Sequence, residues 1–180
     1  LNGASFCDTN SDHRPISIAA RAYFASILKT GAFTAGEFSA GLSTGRRVIQ
    51  FALPFYGDND RMSGVIVAGL SLDWLADYIA RKGVPQGAAL AIMDRNGTYL
   101  ARYPDNGRFV GKKMPGEEYL KIGDIRDVDG VERIEAYSAL PVDSGGLVVS
   151  FGLDKAQAFT EIQNRTQRGI LLIALSASLV

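Results

Sequence analysis

The hydrophobic pattern changes period several times along the chain, and each change predicts an element. Between residues 16 and 30, Ile16, Ala20, Tyr23, Phe24, Ile27 and Leu28 recur at helical spacing and Gly31 supplies a stop, which predicts an amphipathic helix. From 47 to 55, Ile49, Phe51 and Leu53 alternate with Val48, Gln50 and Ala52. Gly57-Asp58-Asn59-Asp60 then turns the chain into a second run, 64–70, so the two predict an antiparallel pair. Ser71 stands where an N-cap belongs, ahead of the stripe Leu72, Leu75 and Ile79, and Lys82-Gly83 followed by Pro85 ends that helix.

The pattern restarts after Pro85. A short apolar strand, 88–93, is followed by the turn Asp94-Arg95-Asn96-Gly97 and a return strand, 98–103, the clearest hairpin signal in the sequence. A polar stretch with a short helix at 117–121 leads to strands at 132–140 and 146–152, separated by a loop at 141–145. A long helix starts at Asp154, an acidic residue suited to a helix N-terminus. This order predicts an α+β fold of two small antiparallel-sheet units, 1–84 and 85–153, followed by an exit segment, 154–180.

The exit helix runs without Gly or Pro from 154 to 168 into GILLIALSASLV, 169–180, where every residue is apolar or small. Twelve helical residues reach about 18 Å, short of the roughly 30 Å bilayer core, so the run reads as the start of a transmembrane helix joined rigidly to the folded region. A buried C-terminal helix is the other reading of such a run. Arg165 and Arg168 flank its start, and charge bias alone would place that end in the cytoplasm. At the other end, Leu1-Asn2-Gly3 reads as strand and turn with no leader before it, so the chain is expected to begin inside its first unit.

Composition narrows the function classes. Lys+Arg and Asp+Glu balance at 19 each, which leaves no basic field to hold a nucleic-acid backbone. Cys7 is the only cysteine, so no internal disulfide forms. Cys7 with His13 lacks the further groups that a metal site or an activated nucleophile needs. Asp124, Asp127, Asp129 and Gly130 do not complete a calcium loop, because Ile125 and Ala136 fall at its first and twelfth positions, and they read as a solvated turn. Glu117 and Glu118 are adjacent and diverge on a helix. Gly41, Gly45, Arg46 and Arg47 form no phosphate-binding signature, so the arginine pair is read as the surface start of a strand. No catalytic residue, metal site or cofactor is predicted. Arg21 lies at the border of the first helix's apolar stripe, where its guanidinium needs either an internal carboxylate or an anionic ligand.

The helix with Arg21-Ala22-Tyr23-Phe24 and the blocks GVIVAGLSLDWLADYIA (64–80) and GAALAIMDRNGTYLARYPD (87–105) together resemble the double Cache sensor modules of bacterial transmembrane receptors. The exit segment, with GLDKAQAF and RTQRGILLI, is similar to those attached to diguanylate cyclases or histidine kinases. The resemblance implies two PAS-like units outside the inner membrane. The first, membrane-distal unit lacks its N-terminal pieces here and is the usual ligand site, and the second is membrane-proximal. It further implies that Arg21, Tyr23 and Phe24 hold a ligand, with Phe38, Phe51 and Gly69 completing the pocket. Gly69 falls where amino-acid-binding members carry the acidic residue for the amine, so a carboxylate without an amine or another small anion is the expected ligand. A region near Tyr99 and Arg102 is the alternative site. The implied protein is a sensor, not an enzyme, held to the membrane by its C-terminal helix and able to form a homodimer. A free periplasmic solute-binding protein, or an enzyme ending in a buried helix, is the competing class.

Overall fold

The computed structural model describes residues 1–9, 16–115, 122–140 and 146–160. The first helix, α1, spans Ala22–Thr30 and is shorter than its periodicity predicts. Residues 16–18 are instead extended: Ser5 N–H donates to the Ile16 carbonyl at 2.9 Å and Ile18 N–H to the Gly3 carbonyl at 2.8 Å. Those backbone groups are satisfied across the chain rather than along a helix, and Ile18 still packs on the α1 cluster. At the other end Gly31 adopts φ 62° and donates to the Ile27 carbonyl, closing the helix as its position predicts.

The first sheet is built on β3 (Arg47–Tyr56), which pairs along its length with β4 (Met62–Ser71). On its other edge β3 takes two short strands, β1 (Thr34–Ala35) and β2 (Ser39–Ala40). Alternation divides the residues between two faces. Ala52 and Val65 meet Tyr23, Phe24 and Ile27 of α1 on one face, and Ile49 and Phe51 point to the other. Ser71 caps α2 (Leu72–Ala80), its Oγ accepting from Trp74 N–H at 3.4 Å, as the sequence predicts.

The second sheet is wholly antiparallel, in the order β6 (Tyr99–Tyr103), β5 (Ala89–Met93), β9 (Val148–Asp154), β8 (Glu132–Ala139), β7 (Gly123–Arg126). Four of these strands follow the predicted pattern. The fifth, β7, and a short helix, α3 (Asn106–Phe109), carry no clear period and were not expected. The hairpin turn between β5 and β6 is held by Asp94, whose Oδ1 accepts from Asn96 and Thr98 N–H, each at 2.9 Å.

The α2 stripe joins the two halves. Leu72, Leu75 and Ile79 form one buried cluster with Ile49 of β3 and with Leu100 and Ala101 of β6. Each leucine or isoleucine side chain so removed from water contributes about 1.5–3 kcal/mol. The helix expected to belong to the first unit therefore also packs against the second sheet.

After β9 the chain turns directly into a helix over 155–160, and Asp154 Oδ1 accepts from Gln157 N–H at 3.1 Å, a capping bond that fits the predicted acidic start. Among the described residues no helix is long and apolar enough to cross a membrane. The apolar run 169–180, the helix expected at 117–121, the loop at 141–145, and His13, Glu117 and Glu118 lie outside the described residues.

Candidate functional site

Arg21 precedes α1 instead of lying within it, with extended backbone at the cap position, so its place on a helical wheel does not apply. Its Nη2 donates to the Ala40 carbonyl of β2 at 3.1 Å, and the side chain is half-buried. Tyr23 and Phe24 are core residues packed on Ala52. Burial raises the Tyr23 hydroxyl above its ordinary value, and the charge of Arg21 opposes the rise. On the same sheet face, Gly69 is paired with Gln50, whose Oε1 accepts from Ser39 Oγ at 2.7 Å. Gly69 itself is exposed.

Phe51 does not share that face. Its neighbour Ala52 points to α1, so Phe51 projects to the opposite side, where it packs on the α2 cluster and stacks on Phe33 at 6.0 Å. Phe38 likewise joins the α2 cluster, with its ring against Gly111. The structure thus brings Arg21, Tyr23, Phe24 and Gly69 to one side of the first sheet and separates Phe51 and Phe38 from them.

Phe38 instead marks a junction between the halves. Its N–H donates to Asp94 Oδ2 at 3.1 Å, so the aspartate that shapes the β5–β6 turn also holds the segment before β2. Arg95 of the same turn donates to the Ala35 carbonyl. A cavity of about 30 Å³ lies here, lined by Tyr23, Gly36, Glu37 and Arg95 among others. A larger cleft of about 270 Å³ opens between α2 and the turn after β6, with Asp77, Asp105 and Tyr103 on its walls.

The densest polar site was not expected. Arg102 of β6 and Arg133 of β8 are each 2% exposed and share Asp127 and Asp129 of the β7–β8 turn. Arg102 Nη2 donates to Asp127 Oδ2 at 2.7 Å and to Asp129 Oδ2 at 2.9 Å; Arg133 Nη1 donates to Asp127 Oδ2 at 2.7 Å and Asp129 Oδ1 at 2.6 Å. The turn read as solvated is therefore a buried clamp. It is buried because the two guanidinium groups neutralise its carboxylates, offsetting a desolvation cost that would otherwise keep them in water. Burial opposes ionisation of Asp129, but the hydrogen bonds from Arg133 and Arg102 prevail and hold it well below the ordinary carboxylate range.

Beside this clamp lies a face made of small residues on the central strands. Ala91 and Ser150 are register neighbours of Arg102 and Tyr137, and Gly152 is the neighbour of Glu135. A Cβ on Gly152 would fall 2.8 Å from Arg133 Cδ, so glycine is what lets Arg133 lie across the sheet. Burial raises the Tyr99 and Tyr137 hydroxyls, with Asp127 and Glu135 respectively adding to the effect. One signal for this site was present in the sequence: Arg133, Glu135 and Tyr137 alternate with Ile134, Ala136 and Ser138, a polar face on a strand that pairs on both edges.

No family model and no curated protein matches the chain. Solved structures do. The extracellular domain described as that of a histidine kinase, rpHK1S-Z16, superposes with a TM-score of 0.73 at 14% identity over 88% of this chain and 69% of that one. The ligand-binding domain of the Pseudomonas aeruginosa PAO1 amino acid chemoreceptor PctB, in complex with L-Arg, gives 0.65 at 21% identity over 96% and 70%. That of the Pseudomonas fluorescens chemoreceptor CtaA, in complex with L-isoleucine, gives 0.62 at 22% identity over 81% and 62%, so the chain spans roughly two thirds of each neighbour. Two antiparallel sheets joined through α2, in the order described above, give this chain the Cache-type fold of extracellular sensor domains.

Proposed function

We propose that the chain is the small-molecule sensing region of a membrane-bound signal-transduction protein, with 1–84 as its membrane-distal unit and 85–153 as its proximal one. The observation that supports this most is the shared fold with receptor ligand-binding domains, combined with a half-buried arginine beside the aromatic residues of α1. In this reading the region lies outside the inner membrane, works as a homodimer, and continues through the helix at 155–160 and the apolar run 169–180 to a cytoplasmic histidine kinase or diguanylate cyclase.

The ligand is a small carboxylate or other anion, held by Arg21 with Tyr23, Phe24 and Gly69 close by. The strands that form this face carry Val48, Gln50, Ala52, Val65, Val67 and Gly69, and so offer no carboxylate to hold an ammonium group. On this reading its ligand differs from those of the neighbours solved with amino acids. A ligand there biases one arrangement of α1 and the segment before β2. The bonds from Phe38 and Arg95 to the opposite half carry that bias to the β5–β6 turn.

A thermal-shift screen of carboxylates, amino acids and neutral metabolites tests the reading. At a hundredfold excess over its dissociation constant a ligand adds about 2.7 kcal/mol, a rise of roughly 5–10 °C for a chain of this size. Arg21→Ala is expected to abolish the shift, and Arg46→Ala to keep it. A shift that survives Arg21→Ala overturns the distal assignment and moves the ligand to the region of Tyr99 and Arg102.

A further inference from the structure

The buried clamp has balanced charges, since Arg102 and Arg133 face Asp127 and Asp129. Glu135 lies next to it, 3% exposed, and forms no ion pair of its own among the described residues. Among the described residues its Oε2 and the hydroxyl of Tyr137, two residues along the same face, make no hydrogen bond of ordinary geometry, although the Ser150 and Tyr137 hydroxyls lie near enough to favour its ionised form. Around Glu135 the ionisable and polar groups are Asp127 from the β7–β8 turn, Arg102 and Tyr99 from β6, Arg133 and Tyr137 from its own strand, and Ser150 from β9. A carboxylate added to this group leaves it with one uncompensated buried negative charge, which is strongly disfavoured. A carboxylic acid in the same place adds none and supplies an O–H donor.

The position also touches the way out of the domain. Glu135 is the register neighbour of Gly152, and Arg133 is that of Asp154, the cap of the following helix. Arg133 Nε donates to the Gly87 carbonyl at 3.2 Å, and Gln157 of that helix packs on Gly87, where a Cβ would fall 2.7 Å from its Nε2.

We propose that Glu135 is a proton-binding site of the proximal unit, whose ionisation loosens the Arg133 contacts that seat the exit helix. The proposal is independent of the Arg21 site, since it needs no small-molecule ligand.

Desolvation raises the Glu135 carboxyl above its ordinary value of 4.5, Asp127 adds to the rise, and the Ser150 and Tyr137 hydroxyls with Arg102 oppose it. A carboxyl bound more tightly to its proton in the folded state contributes stability below its unfolded value, and this is lost as pH rises through the folded value. Asp129 has the opposite sign: its contribution is present above its ordinary 3.8 and is lost only as pH falls further.

The test compares the full chain, Glu135→Gln, and Glu132→Gln, an exposed control on the same strand. Melting temperature is followed from about pH 5 to about pH 8, and amide exchange of the 155–160 helix is normalised to intrinsic rates. Wild type and the control are expected to lose melting temperature as pH rises, with exchange in the helix accelerating. Glu135→Gln is expected to remove both trends and to equal or exceed wild type at the alkaline end. Carbon-13 NMR of the wild-type glutamate carboxyls gives a readout that does not depend on the variant, and one carboxyl should titrate above the ordinary range. An unchanged slope in Glu135→Gln, a variant less stable at every pH, or a Glu135 carboxyl titrating at its ordinary value overturns the proposal.

Discussion

Asp127→Ala is expected to destabilise the protein by about 3–5 kcal/mol, lowering the melting temperature by roughly 6–20 °C. The carboxylate bridges two arginines that are almost fully buried, and its removal leaves Asp129 alone facing both. The loss is dominated by the cost of the buried positive charge that Asp129 alone leaves unbalanced, and much less by the attraction between the pairs themselves. The contrast is Asp124→Ala, which removes an exposed pair with Lys155 and is expected to cost less than about 1 kcal/mol. Chemical denaturation of both variants checks the difference. Near-equal losses would mean that the clamp is open to water.

Leu72→Ala is expected to cost about 2–5 kcal/mol, because Leu72 is fully buried in the cluster that β3, α2 and β6 share. The cavity lies between the sheets, so both halves should respond. Amide exchange in β3 and in β6 is expected to accelerate together, and thermal unfolding to remain one transition at a lower temperature. Trp74→Ala, on the exposed side of the same helix, should change stability by less than about 1 kcal/mol. Acceleration confined to β3 would show that α2 belongs energetically to the first sheet alone.

Much of the architecture was legible because local chemistry and the final fold agree. The β3–β4 pair, the Ser71 cap, the α2 stripe and the Asn96-Gly97 hairpin each follow from a period or a turn residue within ten or so positions. The start of α1 was not legible, because residues 16–18 follow a helical period yet bond to residues 3–5, a pairing that no local window contains. The placing of Phe51 failed for a related reason. An aromatic in an alternating strand faces one side or the other, and the sequence did not say which side α1 covers.

The charged residues divide in the same way. Arg47 behaves as a surface residue at the start of β3, paired with exposed Asp73 at 2.6 Å, as its neighbourhood in the sequence implies. Arg102 and Arg133 have no such neighbourhood. They are separated by some thirty positions and meet only because β6 and β8 lie in one sheet, with β5 and β9 between them, and a turn brings both aspartates across. The sequence by itself determined an α+β chain with two antiparallel sheets, the caps and turns that bound their elements, and the resemblance to a sensor module. The tertiary structure alone decided which strand faces meet α1, that one core joins both sheets, and that Asp127, Asp129 and Glu135 are buried. Period and turn chemistry act over a few residues, whereas the desolvation of a charge depends on what the whole fold packs around it.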